Sequence, residues 1–160
     1  MEPVQKSYQK SNQSKFIQSA NVVCIDSMAT VTDAAKLMRE NHIGDVVVVD
    51  KRNGKMIPVG IITDRDITIE TCAQDVPTDK ILVGDIMTKP VDVAHETDDV
   101  FALVNKMKNH GIGRLPVVDK SGSLTGFVSA QDIFKTLTKT LDDLASLTDL
   151  QHKKERETRH

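Results

Sequence analysis

The chain predicts an α+β fold: two tandem β-α-β-β-α repeats packed sheet to sheet about a pseudo-two-fold axis, plus an extended C-terminal helix. Three observations carry that expectation. First, GIITDRDI at residues 60–67 recurs as GFVSAQDI at 126–133, an offset of 66. Second, HIGDVVVVD at 42–50 lies over GIGRLPVVD at 111–119, an offset of 69. The three-residue change falls in the turn-rich stretch KRNGKMIP, whose counterpart is KSGSL. A turn absorbs an insertion at little cost in closure entropy. Third, each copy carries apolar residues at helical spacing: Val31, Ala34, Ala35, Met38 and then Val100, Leu103, Val104, Met107.

The elements follow in the same order in both copies. A short apolar strand opens each one, at 22–25 and 91–94. The amphipathic helix comes next and is expected to stop near Gly44 in one copy and near Gly111 or Gly113 in the other. Two strands joined by a glycine-containing turn follow. Gly60 and Gly126 are read as turn geometry. A second helix opens at Thr63 or Ser129. One copy of about 50–60 residues would bury too little surface to stand alone, so the two are expected to share a core.

The expected division is a flexible lead-in at 1–15, repeat 1 at 16–72, a linker at 73–82, repeat 2 at 83–137 and a C-terminal extension with a charged tail at 138–160. In that extension Ile133, Leu137, Leu141, Leu144 and Ala145 form an apolar stripe, with Leu147 and Leu150 nearby. The stripe either folds back on its own module or pairs with a second copy.

Bulk composition narrows the partners. With 21 basic and 23 acidic residues in 160, the net charge is −2, and there are one tyrosine, four phenylalanines and no tryptophan. Neither a polyanion-binding surface nor a base-stacking platform is expected, which sets nucleic acid aside. Cys24 and Cys72 stand in no paired spacing and suit a reducing compartment. The polar N-terminus resembles no signal peptide, and the apolar runs are too short to span a bilayer. The expectation is a soluble, cytoplasmic protein with no membrane partner.

Thr63-x-x-Asp66 and Ser129-x-x-Asp132 read locally as capping boxes, which satisfy free backbone N–H groups at a helix start. The same geometry suits a ligand. A helix N-terminus offers N–H groups and positive potential to an anion. An aspartate there has two acceptor oxygens that match the adjacent hydroxyls of a ribose.

Enzyme chemistry finds less support. No HExxH, Cys-x-x-Cys or phosphate-binding loop of the NTPase type is present. Of the candidates His42, His95 and His110, His42 and His110 end helices, where a cation complements the dipole, and they are not equivalent, since His42 pairs with Gly111. These histidines are read as structural, and the chain as no enzyme.

The doubled Gly-apolar-apolar-Thr/Ser-x-x-Asp, in register with two Ile-Gly-x-x-x-Val-Val-Asp strands, resembles a cystathionine-β-synthase-type (CBS) domain pair, or Bateman module. The resemblance covers about residues 16–137. Val83-Gly84-Asp85-Ile86-Met87-Thr88 resembles the family's lead-in to a copy. Lys15-Phe16-Ile17-Gln18-Ser19 departs from that pattern in the first copy.

The resemblance implies a regulatory module binding AMP, ADP, ATP or S-adenosylmethionine in clefts between the copies, with no required cofactor. It places the ribose-binding carboxylates on Asp66 and Asp132 and their hydroxyl partners on Thr63 and Ser129. It places adenine against Val22 to Cys24 with Ile43, and against Val91 to Val93 with Ile112. It also implies a homodimer and an effector protein that the chain does not name. The rival reading is a ligand-free scaffold for dimerisation or docking.

The two clefts differ in charge. Position 45 is Asp and its counterpart 114 is Arg, while Arg65 is matched by the neutral Gln131. Arg114 beside Ser129 and Asp132 would favour a phosphorylated ligand, and Arg65 could offset Asp45. Equally, Asp45 and Arg114 could be solvated surface charges.

Overall fold

A computed structural model describes residues 22–158. The expected lead-in at 1–15, the first residues of repeat 1 and the last two of the tail lie outside the described residues. Two three-stranded sheets stand side by side in sequence. Repeat 1 holds β1 (Cys24–Asp26), α1 (Val31–Asn41), β2 (Asp45–Arg52), β3 (Lys55–Thr63) and α2 (Asp64–Glu70). A short α3 (Val83–Ile86) follows. Repeat 2 holds β4 (Ala94–His95), α4 (Val100–His110), β5 (Arg114–Val118), β6 (Leu124–Ser129) and α5 (Ala130–Thr158). In each sheet the outer strand pairs parallel to the middle one, and the hairpin partner pairs antiparallel.

Local sequence explains most boundaries. Thr30 caps α1 in a reciprocal box with Asp33, and Asp99 caps α4 through the Ala102 N–H at 2.8 Å. Gly111 ends α4 in the left-handed conformation at φ 65°. In α1 the same role falls to His42 at φ 54°, two residues before the glycine that the sequence pattern favoured. The β2–β3 hairpin closes on Asn53-Gly54, both at positive φ. That is the dipeptide a tight two-residue turn prefers. The β5–β6 turn is organised by Asp119, whose Oδ1 accepts from the N–H groups of Ser121 and Ser123. The insertion inferred from the offsets therefore lies in a longer first hairpin.

The opening strands are shorter than expected and begin later, at Cys24 and Ala94. Val22, Val91 and Val93 precede them. Gly60 and Gly126 are also not turn residues: they sit inside β3 and β6. Each flanks a bulge, where Val59 and Thr125 are the extra residues of equivalent irregularities.

Side-chain alternation distributes the core. Val46 and Val48 face α1 with Ala34, Met38 and Ile62. Leu115 and Val117 face α4 with Leu103, Met107, Val128 and Ile133. The opposite faces meet in a third cluster of Val47, Val49 and Leu124, with Cys24, Met56 and Phe127 against it. β2 thus reads as an unbroken valine run because both of its faces are covered. This cluster is the sheet-to-sheet contact that the repeat predicted.

One connection departs from the simple order of two blocks. α3, at the start of repeat 2 by sequence, lies on repeat 1. Val83 is fully buried in the repeat 1 core, with Ile86 and Met87 packed beside it. Thr88 exchanges backbone hydrogen bonds with Ile61, at 2.9 and 3.2 Å, extending the sheet past β3. Gly60 is where this segment crosses: a Cβ there would stand 2.4 Å from the Met87 sulfur and 3.0 Å from the Thr88 carbonyl oxygen.

α5 does not fold back along its length. Ile133 is buried, but Leu141, Leu144, Leu147 and Leu150 are exposed, as is Phe134 on its first turns. At 1.5 Å per residue its 29 residues extend about 43 Å.

Candidate functional site

The Thr63 capping box forms in full, and Ser129 caps α5 through its hydroxyl. The Thr63 hydroxyl donates to Asp66 Oδ2 at 2.8 Å and accepts from the Asp66 N–H at 3.1 Å. The Thr63 N–H also donates to Asp66 Oδ2, at 2.9 Å. In repeat 2 the Ser129 hydroxyl donates to Asp132 Oδ2 and accepts from the Asp132 N–H at 3.1 Å. All four residues are partly buried. The boxes hold each carboxylate in the first turn of its helix, at the positive end of the dipole.

A cleft of about 320 Å³ opens between the repeats. Repeat 1 supplies Val22, Val23, Ile43, Asp45 and Val47; repeat 2 supplies Arg114, Phe127, Ser129, Gln131 and Asp132. The apolar wall of one copy thus faces the capped carboxylate of the other. Volume and lining suit a flat apolar ring with a polar appendage. Of the residues expected from sequence, Val22, Ile43, Ser129, Asp132 and Arg114 meet here. Val23, within the expected 22–24 stretch, lines it too, while Val47 and Phe127 were missed. Alternation along β2 and β6, followed to the face opposite α1 and α5, points to Val47 and Phe127.

The remaining expected residues lie elsewhere. Cys24 packs in the inter-sheet cluster, where burial pushes its thiol pKa up and Lys51 partly opposes the shift. Ile112 packs on the repeat 2 core. The Val93 carbonyl accepts from Lys106 Nζ at 2.7 Å. Val91 is half-buried in the loop before β4. Thr63 and Asp66 do not line the 320 Å³ cleft. Arg65 faces a separate open depression with Asp64, Thr68 and Ile69.

The charges at positions 45 and 114 are not independently solvated: Arg114 Nη1 donates to Asp45 Oδ1 across the seam. The Asp45 side chain is 12 % exposed and that of Arg114 51 %. Burial raises the Asp45 pKa above its ordinary value; Arg114 pulls it down and the Asp64 charge pushes it up again. The cation that offsets Asp45 is therefore Arg114, not Arg65.

The histidines have structural places. His42 closes α1, and His110 Nδ1 lies 2.6 Å from Asp92 at the end of α4. Among the described residues no group of three or more His, Cys, Asp or Glu is placed to hold a metal ion. No helix among them is long and apolar enough to cross a membrane.

Two sheet-and-helix repeats enclosing a cleft at their seam define a tandem-repeat pair. The CBS domain family model matches residues 15–70 and 83–139, and the chain belongs to that family. It is 41 % identical over 106 residues to an uncharacterised protein of Methanopyrus kandleri, covering 66 % of this chain and 53 % of that one. The chain thus spans about half the length of that relative. Among solved structures it resembles a CBS domain pair in complex with 5′-methylthioadenosine and S-adenosyl-L-methionine, with 31 % identity and a TM-score of 0.63. That match covers 76 % of this chain and 95 % of the other. A CBS domain protein of Pyrobaculum aerophilum complexed with AMP matches at 30 % identity and a TM-score of 0.60, covering 68 % and 80 %.

Proposed function

We propose that the chain is a regulatory module that binds an adenosine-containing ligand in the cleft between its repeats and passes occupancy on through packing or assembly. The observation that carries this reading is the pairing of an apolar wall (Val22, Ile43, Phe127) with the capped carboxylate of Asp132 in one cleft. Adenine stacks on the wall, and the ribose hydroxyls donate to the carboxylate. The two related pairs that hold S-adenosylmethionine, methylthioadenosine or AMP support the ligand class. The repeat relation offers Thr63 and Asp66 as a counterpart, but neither they nor Ile112, Val91 and Val93 line the cleft described above. A ligand shifts conformation only by its differential affinity for the two arrangements. A cleft built from both repeats supplies that difference, because occupancy acts on their spacing.

The test is a thermal-shift panel with AMP, ADP, ATP, S-adenosylmethionine and methylthioadenosine. A binder raises Tm by mass action on the folded state. Asp132→Ala is expected to remove the shift. No shift from any of the five at millimolar concentration would overturn the reading.

A second reading, a scaffold for self-association, is favoured by the exposed apolar face of α5. It requires no ligand. Both readings expect a homodimer through that face. They separate on whether nucleosides change Tm, and on whether an effector protein responds to the ligand.

A further inference from the structure

We propose that Asp45 is a specificity-determining residue: by holding the Arg114 guanidinium, it makes the cleft favour an uncharged or cationic nucleoside over a phosphorylated one. The nucleoside part of this inference rests on the reading above; the charge part does not. It also reverses the sequence-based expectation that Arg114 would recruit phosphate.

The geometry of the repeats sets up the pair. Asp45 begins β2 opposite Thr63, and Arg114 begins β5 opposite Ser129, so they hold the same place in their copies. One duplicated position has become a carboxylate and its twin a guanidinium, and the two meet across the seam. Three charged residues line the cleft: Asp45, Asp132 and Arg114. Two carboxylates stand against one guanidinium, and that guanidinium is already engaged.

Arg114 still has donors beyond the one given to Asp45, but a phosphate that uses them faces this negative lining, and one that takes the whole guanidinium draws Arg114 away from Asp45. The second course strands a carboxylate that is only 12 % exposed, with the Asp64 charge acting on it as well. Leaving a largely buried carboxylate without its cation costs more than an exposed ion pair is worth, although the half-exposed guanidinium moderates that cost. A neutral thioether nucleoside or a sulfonium nucleoside leaves the pair intact. Asp45 therefore works as a repulsive element against the wrong ligand rather than as a contact to the right one.

The experiment is isothermal titration of the full chain with 5′-methylthioadenosine, AMP, ATP and inorganic tripolyphosphate. The proteins are the unaltered chain, Asp45→Asn, and Asp45→Asn combined with Arg114→Gln. The unaltered chain is expected to bind methylthioadenosine more tightly than AMP, and AMP more tightly than ATP. Asp45→Asn is expected to raise the affinity ratio of ATP to methylthioadenosine about tenfold or more and to gain tripolyphosphate binding. Adding Arg114→Gln is expected to cancel both gains. Asp45→Ser repeats the arm should the Asn variant not fold.

Tighter binding of ATP than methylthioadenosine by the unaltered chain would overturn the proposal. So would an Asp45→Asn variant with an unchanged ratio and no gain for tripolyphosphate. If no nucleoside binds any variant, the adenosine reading fails and the tripolyphosphate arm alone decides: a gain in Asp45→Asn upholds the filter, and no gain overturns it.

Discussion

Repeat 1 and repeat 2 obey the same local rules yet differ in what lies outside them. Each has a capped amphipathic helix, a bulged hairpin and a Thr or Ser box at its second helix. In repeat 1 that second helix stops after seven residues, and residues 83–88 cover the sheet beyond β3. In repeat 2 it runs for 29 residues and turns an apolar stripe outward. The difference teaches that duplication preserved what each copy needs to fold. Divergence went to the positions that meet something else: the other copy, a ligand or another chain.

The strongest test of that division sets core against stripe. Ile62→Ala, at a fully buried position of β3, is expected to cost about 2–5 kcal/mol in urea unfolding. Leu141→Ala, on the exposed run of α5, should cost less than about 0.5 kcal/mol in the dilute chain, while weakening self-association by sedimentation. Comparable losses would mean that the stripe is covered in solution.

Next comes the covered strand. Gly60→Ala is expected to destabilise by about 1–3 kcal/mol, because a methyl group must displace both Met87 and the Thr88 carbonyl. Gly113→Ala, with nothing within 4 Å of the new atom, serves as the control and should leave the midpoint unmoved or slightly higher.

The caps should rank below this. Thr63→Ala and Ser129→Ala are each expected to cost about 1 kcal/mol. In hydrogen exchange the consequence should spread through all of the seven-residue α2, but stay in the first turns of α5. Equal spreading would erase the contrast between the two helices.

The smallest effect is acid dependence at a matched pair. Asp50 and Asp119 occupy the same repeat position, and both carboxyls sit below the usual carboxylate range. For Asp50 the main cause is the Ser27 hydroxyl, and for Asp119 it is Ser121 in its own turn. A lowered folded-state pKa gives stability that is present above the ordinary carboxylate value and lost as pH falls through the lowered one. Ser27→Ala should move the Asp50 titration up toward its ordinary value in an NMR pH series and leave Asp119 where it is.

Much of this arrangement was legible from residues alone, because the rules that carry it are local. Repeat offsets, helical spacing, Asn53-Gly54 and the Thr/Ser-x-x-Asp boxes each declare themselves within a few positions. The valine run of β2 was legible as a strand, but the burial of both its faces appears only in the packing of the two sheets. What was not legible depends on partners distant in sequence. Residues 83–88 look like the start of a copy, and only the backbone pairing of Thr88 with Ile61 assigns them to the other one. Asp45 and Arg114 stand 69 positions apart, so their opposition was visible but their contact was not. His42 took the left-handed turn ahead of Gly44, a choice between neighbours that composition does not decide. Cys24 shares its sheet face with Val47 but packs in the inter-sheet cluster, and Ile112, in the loop between α4 and β5, packs on the repeat 2 core; neither contact shows in local sequence.

The swapped segment at 83–88 also governs how such a chain can be cut. A fragment ending in the connection would lose Val83 and Met87 from its interior and leave Ile61 with unmatched backbone groups. Any transplant of the first half into another protein must carry its sequel as far as Thr88. The natural cut for the first half therefore falls after Thr88 rather than in the connection before Val83.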